Sequence, residues 1–242
     1  MADSARRPPR LYVALDTSSV GQAADLARPL AELVDGFKVG LEFFVAQGPS
    51  GLRQISMLGK PIFLDLKLHD IPNTVSGAVT SAVSRGPAYL TVHASGGVAM
   101  MRAAVAAAKA EAAKLGSPRP KILAVTVLTS LDANDLVLQS IAAEPAAQAV
   151  KLAALAKSAG VDGVVCSPKE IAAIKHTLGP ELELVVPGIR PAWAAARDQK
   201  RFMTPAEAAT AGADVLVIGR PITEADNPLE AAKRIKAEIE AR

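Results

Sequence analysis

Aromatic residues make up only 3% of this 242-residue chain, so any sizeable core has to come from aliphatic side chains. The one cysteine, Cys166, excludes an internal disulfide framework and suits a reducing, cytoplasmic setting. No apolar run approaches the roughly 18 residues that a membrane span needs. The start of the chain, Met1 to Arg10, is charged but has no signal-peptide core behind it; it reads as a tail carrying Arg6, Arg7 and Arg10 into solvent. His69, His93 and His176 have no metal-ligand spacing, so no metal site is expected. There is no basic stripe interleaved with aromatics, which argues against nucleic-acid binding. The net charge of +3 suits a small anionic substrate instead.

Half of the residues are hydrophobic, enough for one large domain. Short β-branched runs alternate with Ala-rich amphipathic segments throughout. The candidate strands are Leu11–Asp16, Gly36–Leu41, Pro61–Lys67, Tyr89–Ala94, Ile122–Leu128, Gly163–Ser167, Leu184–Ile189 and Val215–Arg220. Val20, Ala24, Ala27, Leu30 and Val34 follow a helical period, as do Leu229, Ala232, Ile235 and Ile239. Pro29 inside the first of these segments predicts a kink. Eight βα units without a composition break indicate one α/β domain, a (β/α)8 TIM barrel over residues 11–242. The rival is a doubly wound open sheet. It lacks its Gly-x-Gly-x-x-Gly fingerprint here, because Asp16-Thr-Ser-Ser follows the first strand.

The densest chemistry is Asp65-Leu-Lys-Leu-His-Asp70, directly behind the apolar run Pro61–Leu64. Charges at the end of a buried strand are costly unless they are paired or functional. Alternation in a strand predicts that Asp65 and Lys67 project side by side. Asp70 lies beyond the strand, just before Pro72, where a helix can begin. A structural ion pair at a barrel rim, with Asp70 as a helix cap, is the alternative to a reactive site.

Barrel enzymes carry their sites at the C-terminal strand ends. Here those ends hold Asp16, Lys38, Asp65 with Lys67, His93, Thr129 with Ser130, Ser167, Pro187-Gly-Ile-Arg190 and Gly219-Arg220. Stability alone does not ask for a polar group on nearly every strand. Lys38, between Phe37 and Val39, is expected to point inward. Gly219 allows close approach of backbone to a ligand, and Arg220 can grip a phosphate bidentately. The long segment from Pro187 to Thr204, with Gln199 in its body, reads as a lid over an anion or as a short surface helix. His93 is expected to be a hydrogen-bonded structural group, and Cys166 a small buried hydrophobe.

These pieces resemble the orotidine 5′-phosphate decarboxylase family. The matching segments are Ala14-Leu-Asp16, Phe37-Lys-Val-Gly40, Asp65-Leu-Lys-Leu-His-Asp-Ile-Pro-Asn-Thr74, Thr91-Val-His93, Leu128-Thr-Ser130, Pro187-Gly-Ile-Arg-Pro191 and Ile218-Gly-Arg-Pro-Ile-Thr223. They are collinear and span almost the whole chain. The resemblance implies a cofactor-free decarboxylation in pyrimidine synthesis, with Lys38, Asp65, Lys67 and Asp70 as the catalytic charge network. It also implies a homodimer in which Asp70 and Thr74 reach the partner's site. Asp16 and Lys38 would meet the ribose hydroxyls, and Thr129 and Ser130 the pyrimidine, Ser130 at its amide edge. Arg190, Gln199, Gly219 and Arg220 would surround or close over the phosphate, and Pro187 would be a further substrate-binding residue. Two other readings stay open: a sugar-phosphate enzyme on the same barrel, and a non-catalytic barrel that binds a phosphate ligand.

Overall fold

The computed structural model describes residues 7–194 and 203–241. Eight parallel strands close into a barrel in sequence order, each paired with the next and β8 with β1. They are β1 (Arg10–Ala14), β2 (Gly36–Gly40), β3 (Ile62–Leu68), β4 (Tyr89–His93), β5 (Lys121–Val125), β6 (Gly163–Val165), β7 (Glu183–Val186) and β8 (Val215–Ile218). The helices between and after them are α1 (Val20–Leu30), α2 (Leu41–Ser56), α3 (Pro72–Val83), α4 (Gly97–Leu115), α5 (Ala133–Leu138), α6 (Pro145–Ala159), α7 (Ile171–Leu178), α8 (Pro205–Ala211), α9 (Arg220–Thr223) and α10 (Pro228–Glu240). This is the single (β/α)8 barrel that the alternating pattern predicts.

Several strands stop earlier than their apolar runs suggest. Asp16, Thr126 to Leu128, Cys166, Ser167 and Pro187 to Ile189 follow their strands rather than end them, and Arg220 opens α9. Hydrophobicity continues into the turns because the barrel mouth is still lined there, by Val127, Cys166 and Pro187 among others. Pro29 produces no internal break: it sits one residue before the end of α1, where little helix remains to be disturbed.

The inner face of the barrel alternates with the helix-facing side along each strand. Near the N-terminal mouth it is filled by Tyr12, Phe63 and Tyr89, whose rings meet at 5.6 to 6.4 Å between centroids. Both tyrosines of the chain are thus spent on plugging the barrel. Gly36 makes this possible, because a Cβ there would lie 2.3 Å from the Tyr12 ring. Outside the strands, an aliphatic and alanine-rich shell seals sheet to helices, with Ala104, Ala108, Ala153 and Ala156 fully buried.

Arg10 departs from the expected solvated tail. It begins β1, forms an ion pair with Glu183 and lies over the Tyr89 ring at 5.6 Å. Glu183 also accepts from the Tyr89 hydroxyl at 2.7 Å and from Lys121 at 2.6 Å. A carboxylate among three donors draws the arginine into the barrel floor, a partner that local sequence does not reveal. Arg7 is exposed and Arg6 lies outside the described residues. Among the described residues no helix is long and apolar enough to cross a membrane.

Candidate active site

The C-terminal mouth opens into a cavity of about 280 Å³. Its walls combine apolar residues from β5 to β8 and the turns after them, including Val125, Val127, Val165 and Val217, with charged groups from β1 to β3. The charged row on β1 to β3 thus faces a largely apolar wall that carries Arg190 and Arg220 on its β7 and β8 side.

The ionic wall is a row of alternating charge. Asp16, just past β1, accepts from Lys38 Nζ at 2.7 Å. Lys38 Nζ lies 4.0 Å from Asp65 Oδ2, and that oxygen accepts from Lys67 Nζ at 2.5 Å. The parallel register brings these together, setting Ala14 beside Lys38 and Gly40 beside Asp65. Asp65 is 7% exposed, whereas Asp16 is open to solvent. The carboxylate at the middle of the row is thus the one removed from water, which strengthens its interactions with both lysines.

Asp65 and Lys67 do meet, but not through regular strand alternation. The β3–β4 ladder slips between Leu64 and Leu68: β3 runs from Leu64 to Leu68 while β4 advances only from Leu90 to Val92. Inside this bulge Lys67 has a φ of +50°, a left-handed conformation uncommon for a residue with a Cβ. Its N–H donates to the Thr91 hydroxyl at 2.8 Å, and that hydroxyl donates to Asp65 Oδ1 at 2.9 Å. Bulges frequently re-aim a side chain next to a reactive site.

Asp70 is not part of this row within the chain. It is exposed, and its Oδ1 accepts from the Ile71 N–H at 2.6 Å. Thr74, in the first turn of α3, is exposed as well. Neither lines the cavity that holds the charges the sequence groups with them. Thr129 lines the cavity; Ser130 is exposed and outside the lining, so only one of this pair faces the cavity.

Pro187, Arg190, Gly219 and Arg220 all line the cavity on the side of β7 and β8. Gly188 has a φ of +75°, which turns the chain after β7 so that the Arg190 side chain is buried at the mouth. Ile189 then bridges Met203, and Arg190 N–H donates to the Met203 carbonyl at 2.9 Å. The two ends of the long segment are thereby pinned together. Trp193, the only tryptophan, donates from Nε1 to Glu238 of α10 at 2.9 Å, with Arg234 over its ring at 4.2 Å. Gln199 lies outside the described residues.

His93 ends β4 with its ring 5.4 Å from that of His69. Burial lowers its pKa below the ordinary imidazole value, and the neighbouring His69 and Lys67 charges act in the same direction. Cys166 is buried and also lines the cavity, a contact not foreseen for it. Burial pushes its thiol pKa well up, so it is a wall and not a nucleophile. Ser167 is buried at a short 3-10 turn, its N–H donating to Glu170 at 2.8 Å. Sequence reasoning gave Thr91 no role; its contacts depend on the bulge, which no local pattern announces. Among the described residues no group of three or more His, Cys, Asp or Glu side chains could hold a metal ion.

An ammonium group beside a buried carboxylate, with two arginines across the cavity, can stabilise developing negative charge and bind an anionic group at a distance. Comparison with known proteins points to the same chemistry. Residues 9–235 match the model of the "Orotidine 5'-phosphate decarboxylase / HUMPS family". A relative from Paramagnetospirillum magneticum, named orotidine 5′-phosphate decarboxylase, is 56% identical over 95% of this chain and 97% of its own. One of the same name from Rhodospirillum rubrum is 51% identical over 99% of this chain and 96% of its own. Among solved structures, orotidine 5′-phosphate decarboxylase from Lactobacillus acidophilus superposes with a TM-score of 0.81 at 37% identity, covering 96% of this chain and 99% of that one. With the barrel, the charged row and near full-length similarity all in agreement, this chain belongs to the orotidine 5′-phosphate decarboxylase / HUMPS family.

Proposed function

We propose that this protein decarboxylates orotidine 5′-phosphate to uridine 5′-phosphate, using fixed electrostatics and no cofactor. The observation that carries this reading is the row Asp16–Lys38–Asp65–Lys67 at the cavity wall. Heterolysis of the bond between C6 and the carboxylate releases carbon dioxide and leaves an electron pair at C6. That pair lies in the ring plane, where the π system cannot spread it. Lys67 stabilises the developing carbanion and then delivers its proton to C6, giving product and a neutral amine that is reprotonated from solvent. Stabilisation aimed at charge that exists only in the transition state is what raises turnover.

In this reading Asp16 and Lys38 hold the ribose hydroxyls and Thr129 approaches the pyrimidine. Arg190 and Arg220 grip the phosphate from the far side of the cavity, so the phosphate positions a bond that it does not touch. Asp70 and Thr74 act in the partner's site of a homodimer. Their exposure supports this, as does Ile71 between them, an apolar side chain that is 66% exposed. The free buried thiol of Cys166 suits a reducing cytoplasm.

The test is to mix the protein with orotidine 5′-phosphate and follow the pyrimidine absorbance. Conversion supports the reading. No conversion, together with turnover of a sugar phosphate, sinks it. For the shared site, inactive Asp70→Ala and inactive Lys67→Ala proteins should regain activity when their subunits exchange. Exchange without recovery would count against it.

A further inference from the structure

We infer that Thr91 is a positioning residue of this reaction: its buried hydroxyl locks the Lys67 backbone and the Asp65 carboxylate into one unit. The inference rests on the function proposed above and extends it to a residue on a neighbouring strand.

Thr91 sits on the inner face of β4, one layer above Tyr89, with no exposure to solvent. Opposite it, the β3 bulge removes the regular ladder, so the Lys67 N–H takes its acceptor from a side chain, the Thr91 hydroxyl, at 2.8 Å. The hydroxyl proton is committed to Asp65 Oδ1 at 2.9 Å. A hydroxyl has one proton and two lone pairs, and both kinds of contact are used here. The direction of each bond is fixed, because a backbone N–H can only donate and an ionised carboxylate can only accept.

The consequence is a closed ring. From the Lys67 N–H it runs through Thr91 Oγ1 to Asp65 Oδ1, across the carboxylate to Oδ2, and back to Lys67 Nζ at 2.5 Å. Holding Oδ1 fixes the rotation of the carboxylate, so Oδ2 faces Lys67 and Lys38 rather than swinging between them. Holding the N–H stabilises the left-handed conformation at Lys67, which a side chain with a Cβ adopts only when its surroundings impose it. Both ends of the proton-donating residue are therefore set by one oxygen. Burial keeps water from taking its place. Restriction of χ1 in a β-branched residue keeps that oxygen pointing into the ring.

The experiment compares wild type, Thr91→Val and Thr91→Ser on orotidine 5′-phosphate, together with amide hydrogen exchange at Lys67. Removing the hydroxyl without changing the shape should lower kcat roughly 10²-fold with KM changed by no more than about threefold, as expected for misplacement of a reacting group. Thr91→Ser keeps the hydroxyl and should stay within about tenfold of wild-type kcat. The Lys67 amide should exchange at least about tenfold faster in Thr91→Val than in the other two proteins. Should Thr91→Val fail to fold, Thr91→Cys takes its place, since a thiol fills the position with only a weak hydrogen bond. A hydroxyl-free variant with wild-type kcat, or serine as impaired as valine, overturns the inference. Wild type inactive on this substrate would instead overturn the proposed function, and the Lys67 amide would still judge whether Thr91 holds the bulge.

Discussion

Replacing Lys67 with methionine removes the ammonium and keeps an unbranched apolar stem of similar reach. In the native site that ammonium is 2.5 Å from Asp65 Oδ2, in a group that is only 29% exposed at its side chain. A buried carboxylate that loses its only partner costs about 3–5 kcal/mol. Asp65 does not lose everything. Lys38 remains 4.0 Å away, an attraction of about 4 kcal/mol at an effective dielectric near 20, and the Thr91 hydroxyl still donates. The net loss of stability should therefore be about 1–3 kcal/mol, a fall in Tm of roughly 2–12 °C for a domain of this size. Turnover should fall far more, by at least about 10²–10³-fold, the usual effect of deleting one preorganised stabilising group. Thermal melts and absorbance-monitored decarboxylation measure the two separately. A folded Lys67→Met protein with near wild-type kcat would refute the assignment of Lys67 as proton donor. A loss of activity that merely tracks the fraction unfolded would refute it equally.

Orotidine without its phosphate should lose kcat as well as affinity, because Arg190 and Arg220 lie across the cavity from the charged row; equal kcat at saturation would contradict their positioning role. Glu183→Ala at the barrel floor strips the acceptor from Tyr89, Arg10 and Lys121. With the two cations nearly half exposed, the cost should be about 2 kcal/mol in urea denaturation, with kcat preserved. A stability unchanged by this substitution would remove the floor cluster from the account. His93 is held below the imidazole reference of 6.5, so on acidification the unfolded chain takes up this proton before the folded one. Its contribution to stability is complete above about pH 6.5 and is lost as pH falls through the lower, folded value. Melting curves from pH 8 to pH 5 should accordingly show a shallower decline for His93→Asn than for wild type; parallel curves would disprove it.

The eight strands, the single barrel and the charged rim were legible in the sequence because each depends on local periodicity. Buried parallel strands must be continuously apolar, so a lysine or aspartate at such a strand's end stands out, as Lys38 and Asp65 do. The place of Arg10 is not legible locally for the opposite reason: its partner Glu183 is 173 positions away, and nothing beside it in the chain signals that contact. Asp70 and Lys67 share a motif, yet only Lys67 lines the cavity, because β3 ends at Leu68 and Asp70 falls in the connection to α3.

Residue order alone thus determined the architecture and which side chains could carry charge at the mouth, because hydrophobic period and strand-end polarity are properties of neighbours in sequence. Tertiary structure alone decided that β3 slips against β4, that Lys67 takes a left-handed turn there, and that Thr91 holds it. A bulge and its hydrogen bonds exist only once two strands are side by side, so their energetics depend on closure of the barrel and not on either strand by itself.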